Sequence, residues 1–431
     1  MTRIQELMIY RNFSKEKILN DLAYVMDHYA DMKEEDAQGL RSRYYDCIHS
    51  LVEMAGAYGF AGNLWHNYLT WLLVNDENVF STSCEIVGAV EGSINTLAMH
   101  DFEIFRELFM FDFSGVNQAL GAKEMEVIAA YENINSQSKL YNKRIRDRIC
   151  QLTVRLEQST DVKTFMDDMV EFYREFGVGK LGLHKAFRIR HEENRVSIDP
   201  ITNIAHVHLD DLVGYETAKK KLIDNTEAFV NGKRANNCLL FGDAGTGKSS
   251  SIKGILNQYY DRGLRIIEVY KHQFQDLNDV IAQIKNRNYK FIIYMDDLSF
   301  EDFEIEYKYL KAVIEGGLER KPENVLIYAT SNRRHLVRES FYDKQGRRDD
   351  LHSSDTVQEK LSLVNRFGVQ IFFCAPDKKE FQNIVKVLAE KHGITMPEDE
   401  LLLEANKWEL SHGGLSGRTA QQFVDYLLGK M

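Results

Sequence analysis

The sequence predicts an α/β protein in which a parallel sheet flanked by helices follows a long, purely helical region. From residue 209 onward, short apolar runs alternate with helical patterns, as in parallel strands that are covered on both faces. A glycine-rich loop separates one of these runs from the helical pattern that follows it. No proline occurs before Pro200, which is typical of long uninterrupted helices. Together these observations predict two regions of different architecture.

The composition is that of a soluble globular protein. The 431 residues are 44% hydrophobic and 28% charged, which is ordinary for a chain of two or three domains. The net charge of −11 provides no broad attraction to nucleic acid. Five cysteines, an odd number without a CxxC pair, favour reduced thiols in a cytoplasmic protein over disulfides or a zinc site. The most apolar stretch, residues 102–113, is too short and too charged to span a bilayer, so we expect no membrane partner.

The predicted boundaries divide the chain into three parts. Residues 1–185 form a helical domain whose role the sequence does not define, residues 186–375 form the α/β domain, and residues 376–431 are helical again. The α/β domain opens with "AFRIRHEENRVSIDPI", two extended runs that indicate a hairpin. Its five predicted strands are CLLF (238–241), RIIEV (265–269), FIIYM (291–295), VLIYA (325–329) and QIFFC (370–374).

Two helix boundaries are predicted within residues 1–185. Thr82 and Glu85 have the spacing of a capping box, which predicts that the helix of "EIVGAVEGSINTLAM" begins there. In "TDVKTFMDDMVEFYREFG" the apolar residues recur at helical spacing, and Gly177 is the expected end of that helix.

The glycine-rich loop lies in "LLFGDAGTGKSSSIKGIL", residues 239–256, and has the pattern G-x-x-x-x-G-K-[ST]. Glycines allow backbone N–H groups to surround an anion, and the helix that follows directs its positive end at the same point. Lys248 is expected to reach the β and γ phosphates of a nucleotide, and the Ser249 hydroxyl to ligate Mg²⁺. A flexible linker is the alternative, but the apolar flanks argue against it. The predicted phosphate-binding residues are Gly242, Asp243, Ala244, Gly245, Thr246, Gly247, Lys248, Ser249 and Ser250.

A second predicted element is the pair of carboxylates in "FIIYMDDLSFED". Asp296 directly follows a buried strand, where a carboxylate can hold the hydration shell of Mg²⁺. Asp297 can orient or deprotonate an attacking water. A solvated acidic turn is the alternative interpretation, and the nearby glycine loop makes it the weaker one.

The next apolar run, "VLIYATSN", ends in Asn332. An amide at that position can hydrogen-bond the γ phosphate or the attacking water beside Asp297, although asparagine is also an ordinary turn residue. We favour the functional interpretation because the neighbouring strands already carry candidate site residues.

Two arginines have opposite relationships to their predicted helices. In "GGLSGRTAQQFVDYLL", Ser416 is the expected N-cap, so Arg418 lies in the first turn, where a cation opposes the helix dipole and an anionic partner would compensate. In "DTVQEKLSLVNRFG", Arg366 lies in the last turn of a helix capped by Asp355. The dipole favours a cation there, so physical chemistry alone leaves its role open.

These motifs, in this order, resemble those of the AAA+ ATPases. Residues 242–249 match Walker A, residues 294–297 match Walker B, and Asn332, Arg366 and Arg418 fall at sensor 1, the arginine finger and sensor 2. The segment "LDDLVGYE" is similar to the one that lines the adenine pocket, which adds Val213 and Gly214 to the expected nucleotide contacts. Residues 186–431 also resemble a bacterial family of predicted AAA+ proteins that carries a domain-of-unknown-function label.

The resemblance implies a five-stranded parallel sheet with flanking helices, a helical lid from about residue 376, and ATP with Mg²⁺ as cofactors. It implies that Arg366 acts in trans on a neighbouring subunit, and that Arg418 reports the nucleotide state through movement of the lid. One departure is that Asp297 stands where most of these ATPases have glutamate, which implies slower hydrolysis.

The leading functional hypothesis is an ATPase that forms a homo-oligomer through its AAA+ module and remodels or loads a macromolecular partner. The alternative is a nucleotide-dependent switch with little turnover, and a small-molecule kinase is less favoured because no acceptor pocket is recognisable. A protein partner is preferred over DNA. The basic residues that would favour DNA are Arg333, Arg334, Arg338, Arg347 and Arg348.

Overall fold

The chain folds into two compact units, Met1–His184 and Lys185–Met431. The computed structural model describes residues 1–88, 91–133, 140–141, 143–192, 195–301, 304, 306–315, 322–333, 336 and 363–430. In the described residues, no helix combines the length and apolarity that crossing a membrane requires.

The first unit is helical. After a short 3₁₀ helix, Ile4–Glu6, its α-helices are α1 (Lys17–His28), α2 (Glu34–Tyr58), α3 (Leu64–Asn75), α4 (Val79–Val87), α5 (Ser93–Phe109), α6 (Ser114–Leu120), α7 (Glu124–Ala129), α8 (Lys143–Glu157), α9 (Val162–Phe176) and α10 (Gly179–Leu183). Their apolar faces share one core that includes the buried rings of Trp65, Tyr68, Phe102 and Phe165. The aromatic residues of this region are therefore mainly core residues.

One predicted helix boundary in this unit is confirmed and the other is wrong. Helix α9 ends at Gly177, which adopts φ = 78°, as expected for a glycine C-cap. Helix α4 begins before Thr82, because the Asn78 side chain accepts from the Ser81 N–H and caps the helix there. The Thr82 hydroxyl instead donates to the Asn78 carbonyl at 2.6 Å from inside the first turn.

Residues 8–10, in the segment that precedes α1, are hydrogen-bonded to one carboxylate of α5. Asp101 is fully buried and accepts hydrogen bonds from three consecutive backbone N–H groups. These belong to Met8, Ile9 and Tyr10, at 3.1, 2.7 and 2.9 Å. Because a buried carboxylate is costly without donors, this triple contact fixes the path of the segment that precedes α1.

The second unit is built on one sheet. Its strands are β1 (Ala186–Glu192), β2 (Arg195–Pro200), β3 (Cys238–Gly242), β4 (Leu264–Glu268), β5 (Lys290–Met295), β6 (Val325–Ser331) and β7 (Val369–Phe373). The spatial order is β2-β1-β4-β5-β6-β3-β7. The pairs β4–β5, β5–β6, β6–β3 and β3–β7 are all parallel, which confirms the five predicted parallel strands.

The predicted hairpin is also confirmed, but it belongs to the sheet, so the expected number of five strands is too small. Strands β1 and β2 pair antiparallel, and β1 then pairs parallel with β4 through residues 186–188. The sheet of the described residues consequently has seven strands, with the hairpin at one edge.

Helices of the second unit follow the strands. Between strands lie α11 (Glu216–Val230), α12 (Lys248–Tyr259), α13 (Leu277–Ile284) and α14 (Glu306–Glu315), with 3₁₀ helices at Leu209–Asp211, Tyr260–Arg262 and Lys271–Asp276. After β7 come α15 (Lys378–Lys391), α16 (Glu398–Ser411) and α17 (Gly417–Leu428), which pack on one another around Phe381, Val385 and Phe423. We refer to α15–α17 as the C-terminal helices.

Candidate functional site

The glycine loop connects β3 to α12 and requires glycine at its two ends. Gly242 adopts φ = 135°, and a Cβ at this position would lie 2.0 Å from the Phe373 carbonyl oxygen of the neighbouring strand. Gly247 adopts φ = 88° as the N-cap of α12, and a Cβ there would lie 2.7 Å from Leu212 Cδ2. Both positions combine a left-handed backbone with a close neighbour, so any side chain would displace the loop.

The middle of the loop contacts the start of α17. The Arg418 N–H donates to the Gly245 carbonyl at 3.1 Å. A Cβ on Gly245 would lie 3.0 Å from Ser416 Oγ, so the two backbones approach closely. Ser416 caps α17 by accepting from the Thr419 N–H, as predicted, and Arg418 lies in the first helical turn.

Lys248 is buried at the N-terminus of α12 and directs its ammonium back over the loop. It donates to the carbonyls of Gly242 and Asp243 at 2.9 and 2.6 Å and to Asn332 Oδ1 at 2.9 Å. Burial lowers its pKa, while the nearby carboxylates of Asp243, Asp297 and Asp296 act in the opposite direction. The ammonium thus has neutral oxygen partners that an anion could replace.

Asp296 follows β5 and accepts three hydroxyl donors on a single oxygen. Ser249, Tyr294 and Thr330 donate to Oδ1 at 2.7, 2.7 and 2.5 Å. Burial acts to raise the pKa of Asp296, but the hydrogen bonds from Thr330, Tyr294 and Ser249 outweigh it and hold the pKa below its ordinary value. Burial and the Asp296 carboxylate also raise the pKa of Tyr294, so its hydroxyl keeps its proton and donates.

Asp297 and Asn332 form a pair at adjacent strand ends. Asn332 Nδ2 donates to Asp297 Oδ1 at 2.8 Å, and the Asp297 N–H donates to Thr330 Oγ1 at 3.0 Å. Asp297 has φ = 50°, a left-handed conformation that aspartate adopts more readily than most residues with a side chain. The local backbone therefore suits aspartate at this position.

These residues line one pocket of about 840 Å³. Of the predicted site residues, those lining it are Val213, Ala244, Gly245, Thr246, Gly247, Lys248, Ser249, Ser250, Asp296, Asp297, Asn332 and Arg418. Gly242, Asp243 and Gly214 are close in sequence to lining residues but do not line the pocket themselves. Asp243 Oδ2 accepts from the Ala375 N–H at 2.8 Å, and Gly214 adopts φ = 83° beside Val213.

An apolar wall of the pocket is formed jointly by the segment before α11 and by α15. Leu212 and Val213 supply one apolar side, and Ile384 and Leu388 supply the other. An ion pair between Asp211 and Lys391 links the two sides. The ammonium of Lys391 contributes most to lowering the pKa of Asp211.

Arg366 lies apart from the pocket of its own chain. Its guanidinium forms an ion pair with Glu315 at the end of α14. Arg333 forms an ion pair with Glu301. The other four arginines that would favour DNA, and the predicted cap Asp355, lie outside the described residues.

Sequence analysis assigned no individual role to Tyr294, Thr330, Asp211 or Lys391. Tyr294 precedes Asp296 by two positions, so the two-residue period of a strand places both side chains on one face. This signal was available in the sequence. The Asp211–Lys391 ion pair joins residues 180 positions apart and has no local signature.

The polar groups of the pocket are those that a nucleoside triphosphate with Mg²⁺ requires. Glycine is required where the loop is most crowded, the Lys248 ammonium faces exchangeable oxygens, and a hydroxyl and a carboxylate stand together at Ser249 and Asp296. Arg418 contributes a guanidinium that makes no hydrogen bond or ion pair with the described residues. A phosphate group would therefore find cations and backbone donors at this end of the pocket.

The parallel sheet, the glycine loop between β3 and α12, the acidic end of β5 and the C-terminal helices define an α/β module with a phosphate-loop arrangement. The chain belongs to the family described as "Protein of unknown function (DUF815)", whose model matches residues 182–431. No curated protein sequence matches the chain.

Solved structures that the chain resembles include those of Thermotoga maritima RuvB. One RuvB mutant is 17% identical with a TM-score of 0.36, and the match covers 52% of this chain and 65% of that structure. The structure titled as the RuvB Holliday junction branch migration motor is 15% identical with a TM-score of 0.32, and the match covers 51% of this chain and 72% of that structure.

Proposed function

We propose that this protein binds ATP with Mg²⁺ and hydrolyses it. The observation that carries the proposal is the convergence of Lys248, Ser249, Asp296, Asp297 and Arg418 on one pocket around the glycine loop. Lys248 would supply a cation for the phosphates, and Ser249 and Asp296 a hydroxyl and a carboxylate for the metal. Asp297 would act as the base, and Arg418 would supply a second cation.

In the proposed mechanism, Lys248 exchanges its carbonyl and amide partners for phosphate oxygens. Ser249 and Asp296 would together hold Mg²⁺, the serine through its hydroxyl and the aspartate through water of the hydration shell. Mg²⁺ supplies neutralisation of phosphate charge when it is bound. Asp297 orients the attacking water and accepts its proton, and Asn332 keeps that carboxylate in place by the hydrogen bond that it already donates.

The oligomeric part of the proposal rests on Arg366. Its position outside its own pocket is compatible with a role in trans, where it would stabilise the phosphoryl group held by a neighbouring subunit. The C-terminal helices would act as a lid, because Arg418 and Gly245 couple α17 to the loop and Lys391 couples α15 to Asp211. ATP-driven closure would then remodel or load a partner that the helical unit 1–184 helps to select.

We favour a protein partner over DNA. The net charge of −11 opposes a long phosphate backbone, and a DNA site would have to depend on the arginines near residue 333. DNA binding that weakens steeply with added salt would reverse this preference.

The experiment is the ATPase rate per subunit measured over a wide range of protein concentration. A specific activity that rises with concentration and is lost in Lys248→Ala supports the proposal. Lys253→Ala is the matched control, because Lys253 is exposed on the same helix five positions later and does not line the pocket. Absence of nucleotide binding by the wild-type protein would overturn the proposal.

The second candidate function is a nucleotide-dependent switch with little turnover. It is favoured by the short side chain of Asp297 and by its engagement with Asn332. Tight ATP binding without hydrolysis at any protein concentration would support the switch over the ATPase.

A further inference from the structure

The side-chain donors of the Asp296 carboxylate converge on one of its oxygens. Its Oδ1 accepts from the hydroxyls of Ser249 on α12, Tyr294 on β5 and Thr330 on β6, whereas no side chain of the described residues donates to Oδ2. One oxygen is thus saturated by hydroxyl donors and the other remains available at the pocket.

The three hydroxyls are not equivalent once Mg²⁺ binds. In the proposed function the Ser249 hydroxyl would turn to the metal, so Asp296 would lose one of its three hydroxyl donors. Tyr294 and Thr330 would remain as the side-chain donors that orient the carboxylate. Thr330 Oγ1 also accepts from the Asp297 N–H, whereas the Tyr294 hydroxyl donates to Asp296 within the cluster that Ser249 and Thr330 complete.

The Tyr294 ring is packed so that its hydroxyl has little freedom. Tyr294 is 5% exposed and belongs to the apolar cluster beneath α12, together with Ile292 and Ile252. A tyrosine side chain has two main torsions, and burial of the ring restricts both. The strand period directs the ring to the same face as Asp296, which is why the hydroxyl reaches Oδ1 at 2.7 Å.

We propose that Tyr294 is a positioning residue for the metal site: its buried hydroxyl holds the Asp296 carboxylate so that Oδ2 faces the hydration shell of Mg²⁺ after Ser249 has moved to the metal. This inference rests on the proposed function. It assigns Tyr294 no contact with nucleotide or metal, and it predicts that loss of the hydroxyl affects metal affinity without affecting metal-free nucleotide binding.

Strand β6 provides a matched control. Tyr328 is the register partner of Tyr294, is fully buried, and belongs to the same apolar cluster. Its hydroxyl pairs with Asn225 and Thr226 of α11 at 2.9 and 3.0 Å, and it does not line the pocket. Tyr294→Phe and Tyr328→Phe each remove one buried hydroxyl from adjacent strands of the same cluster. Only Tyr294→Phe removes a hydrogen-bond donor to Asp296.

The test uses the full chain and a fluorescent, non-hydrolysable ATP analogue. The dissociation constant is first measured in EDTA, and Mg²⁺ is then titrated at fixed nucleotide. We expect Tyr294→Phe to bind the analogue with the wild-type dissociation constant in EDTA. It should need about five- to tenfold more Mg²⁺ to reach half of the metal-dependent fluorescence change, because hydrogen bonds to charged groups are among the stronger ones. Tyr328→Phe should leave both values unchanged.

Normal binding in EDTA also reports that Tyr294→Phe has folded, because the phosphate loop must be intact for it. An unchanged Mg²⁺ midpoint in Tyr294→Phe would overturn the positioning role while leaving the proposed function intact. An equal shift in Tyr328→Phe would overturn it as well, since the effect would then be one of general packing. Failure of the wild-type protein to bind the analogue under either condition would overturn the proposed function and the inference together.

Discussion

Lys248 and Asp297 are connected through a single side chain, that of Asn332. The Lys248 ammonium donates to Asn332 Oδ1 at 2.9 Å, and Asn332 Nδ2 donates to Asp297 Oδ1 at 2.8 Å. One amide therefore satisfies a cation with its oxygen and an anion with its nitrogen. This arrangement makes Asn332 the link between the residue expected to bind phosphate and the residue expected to activate water.

The first prediction concerns this link. Asn332→Ala should lower kcat for ATP hydrolysis roughly 100-fold, because Asp297 loses the donor that orients it. ATP affinity should change little, since Lys248 keeps its position at the N-terminus of α12. Steady-state kinetics and equilibrium nucleotide binding measure the two effects separately.

Asn324→Ala is the control for that prediction. Asn324 precedes the same strand, β6, and donates to the carbonyls of Ile284, Arg287 and Tyr289 at 2.9, 3.1 and 3.3 Å. Its loss should reduce stability and leave the kcat of the folded protein unchanged. Equal kcat values in the wild type and in Asn332→Ala would remove Asn332 from the mechanism.

A second prediction compares two glycines with the same backbone conformation. Gly247 and Gly263 both adopt φ = 88° and ψ = 10°. A Cβ on Gly263 has no neighbour within 4 Å, whereas a Cβ on Gly247 would lie 2.7 Å from Leu212. Gly263→Ala should therefore cost only the conformational penalty, about 1 kcal/mol of stability, with unchanged nucleotide affinity.

Gly247→Ala carries the same penalty and in addition forces the loop away from Leu212. We expect it to weaken nucleotide binding at least tenfold, measured by fluorescence titration alongside urea unfolding of both variants. If both variants bound nucleotide equally well, the close approach of the loop to Leu212 would not matter for binding.

The sequence could predict features that depend on local patterns. The five parallel strands are continuous apolar runs, and the caps at Gly177 and Ser416 need only a residue type at a helix end. The capping box predicted at Thr82 is wrong, because Asn78, four positions earlier, caps the helix with its own side chain. Two nearby residues can thus both have the sequence pattern of an N-cap, and only the folded structure determines which one caps the helix.

Features that join distant segments could not be predicted. The pairing of β1 with β4 depends on backbone hydrogen bonds between segments about 80 positions apart, which leave no periodic signal at either one. The same holds for the convergence of Ser249, Tyr294 and Thr330 on one carboxylate oxygen, which requires three elements to be in place. The motif spacing located the candidate site, but only the assembled sheet defines which side chains orient its residues.

A third prediction concerns the stability of the helical unit. Asp101→Asn removes the negative charge from the group whose Oδ2 accepts from Met8, Ile9 and Tyr10, and its NH₂ group cannot accept the second hydrogen bond that Met8 donates to Oδ1. The loss should be about 2–3 kcal/mol. Amide hydrogen exchange of the full chain should show faster exchange at residues 8–10, and urea unfolding should begin at lower concentration.

Asp167→Asn is the control variant for this prediction. Asp167 is exposed on α9, so its substitution should alter stability by less than about 0.5 kcal/mol. Unchanged exchange at Met8, Ile9 and Tyr10 in Asp101→Asn would mean that the carboxylate does not anchor this segment.

The last prediction separates two roles of Arg366, as a partner of Glu315 within its own subunit and as a group that acts on a neighbour. If Arg366 only stabilises its own chain through the ion pair, Arg366→Ala and Glu315→Gln should lower activity to a similar extent. If it acts in trans, Arg366→Ala should reduce kcat roughly 1,000-fold with unchanged ATP affinity. Glu315→Gln should then retain activity, because it releases the guanidinium for the neighbouring site.

Mixing supplies the decisive measurement for Arg366. Lys248→Ala retains Arg366 but lacks its own phosphate-binding lysine, whereas Arg366→Ala retains a complete pocket. If the arginine acts between subunits, adding the first inactive variant to the second should restore hydrolysis, because each Arg366→Ala pocket beside a Lys248→Ala neighbour regains its cation. Activity that stays at the sum of the separate variants at every ratio would exclude the role in trans, since such mixtures contain intact arginines and intact pockets.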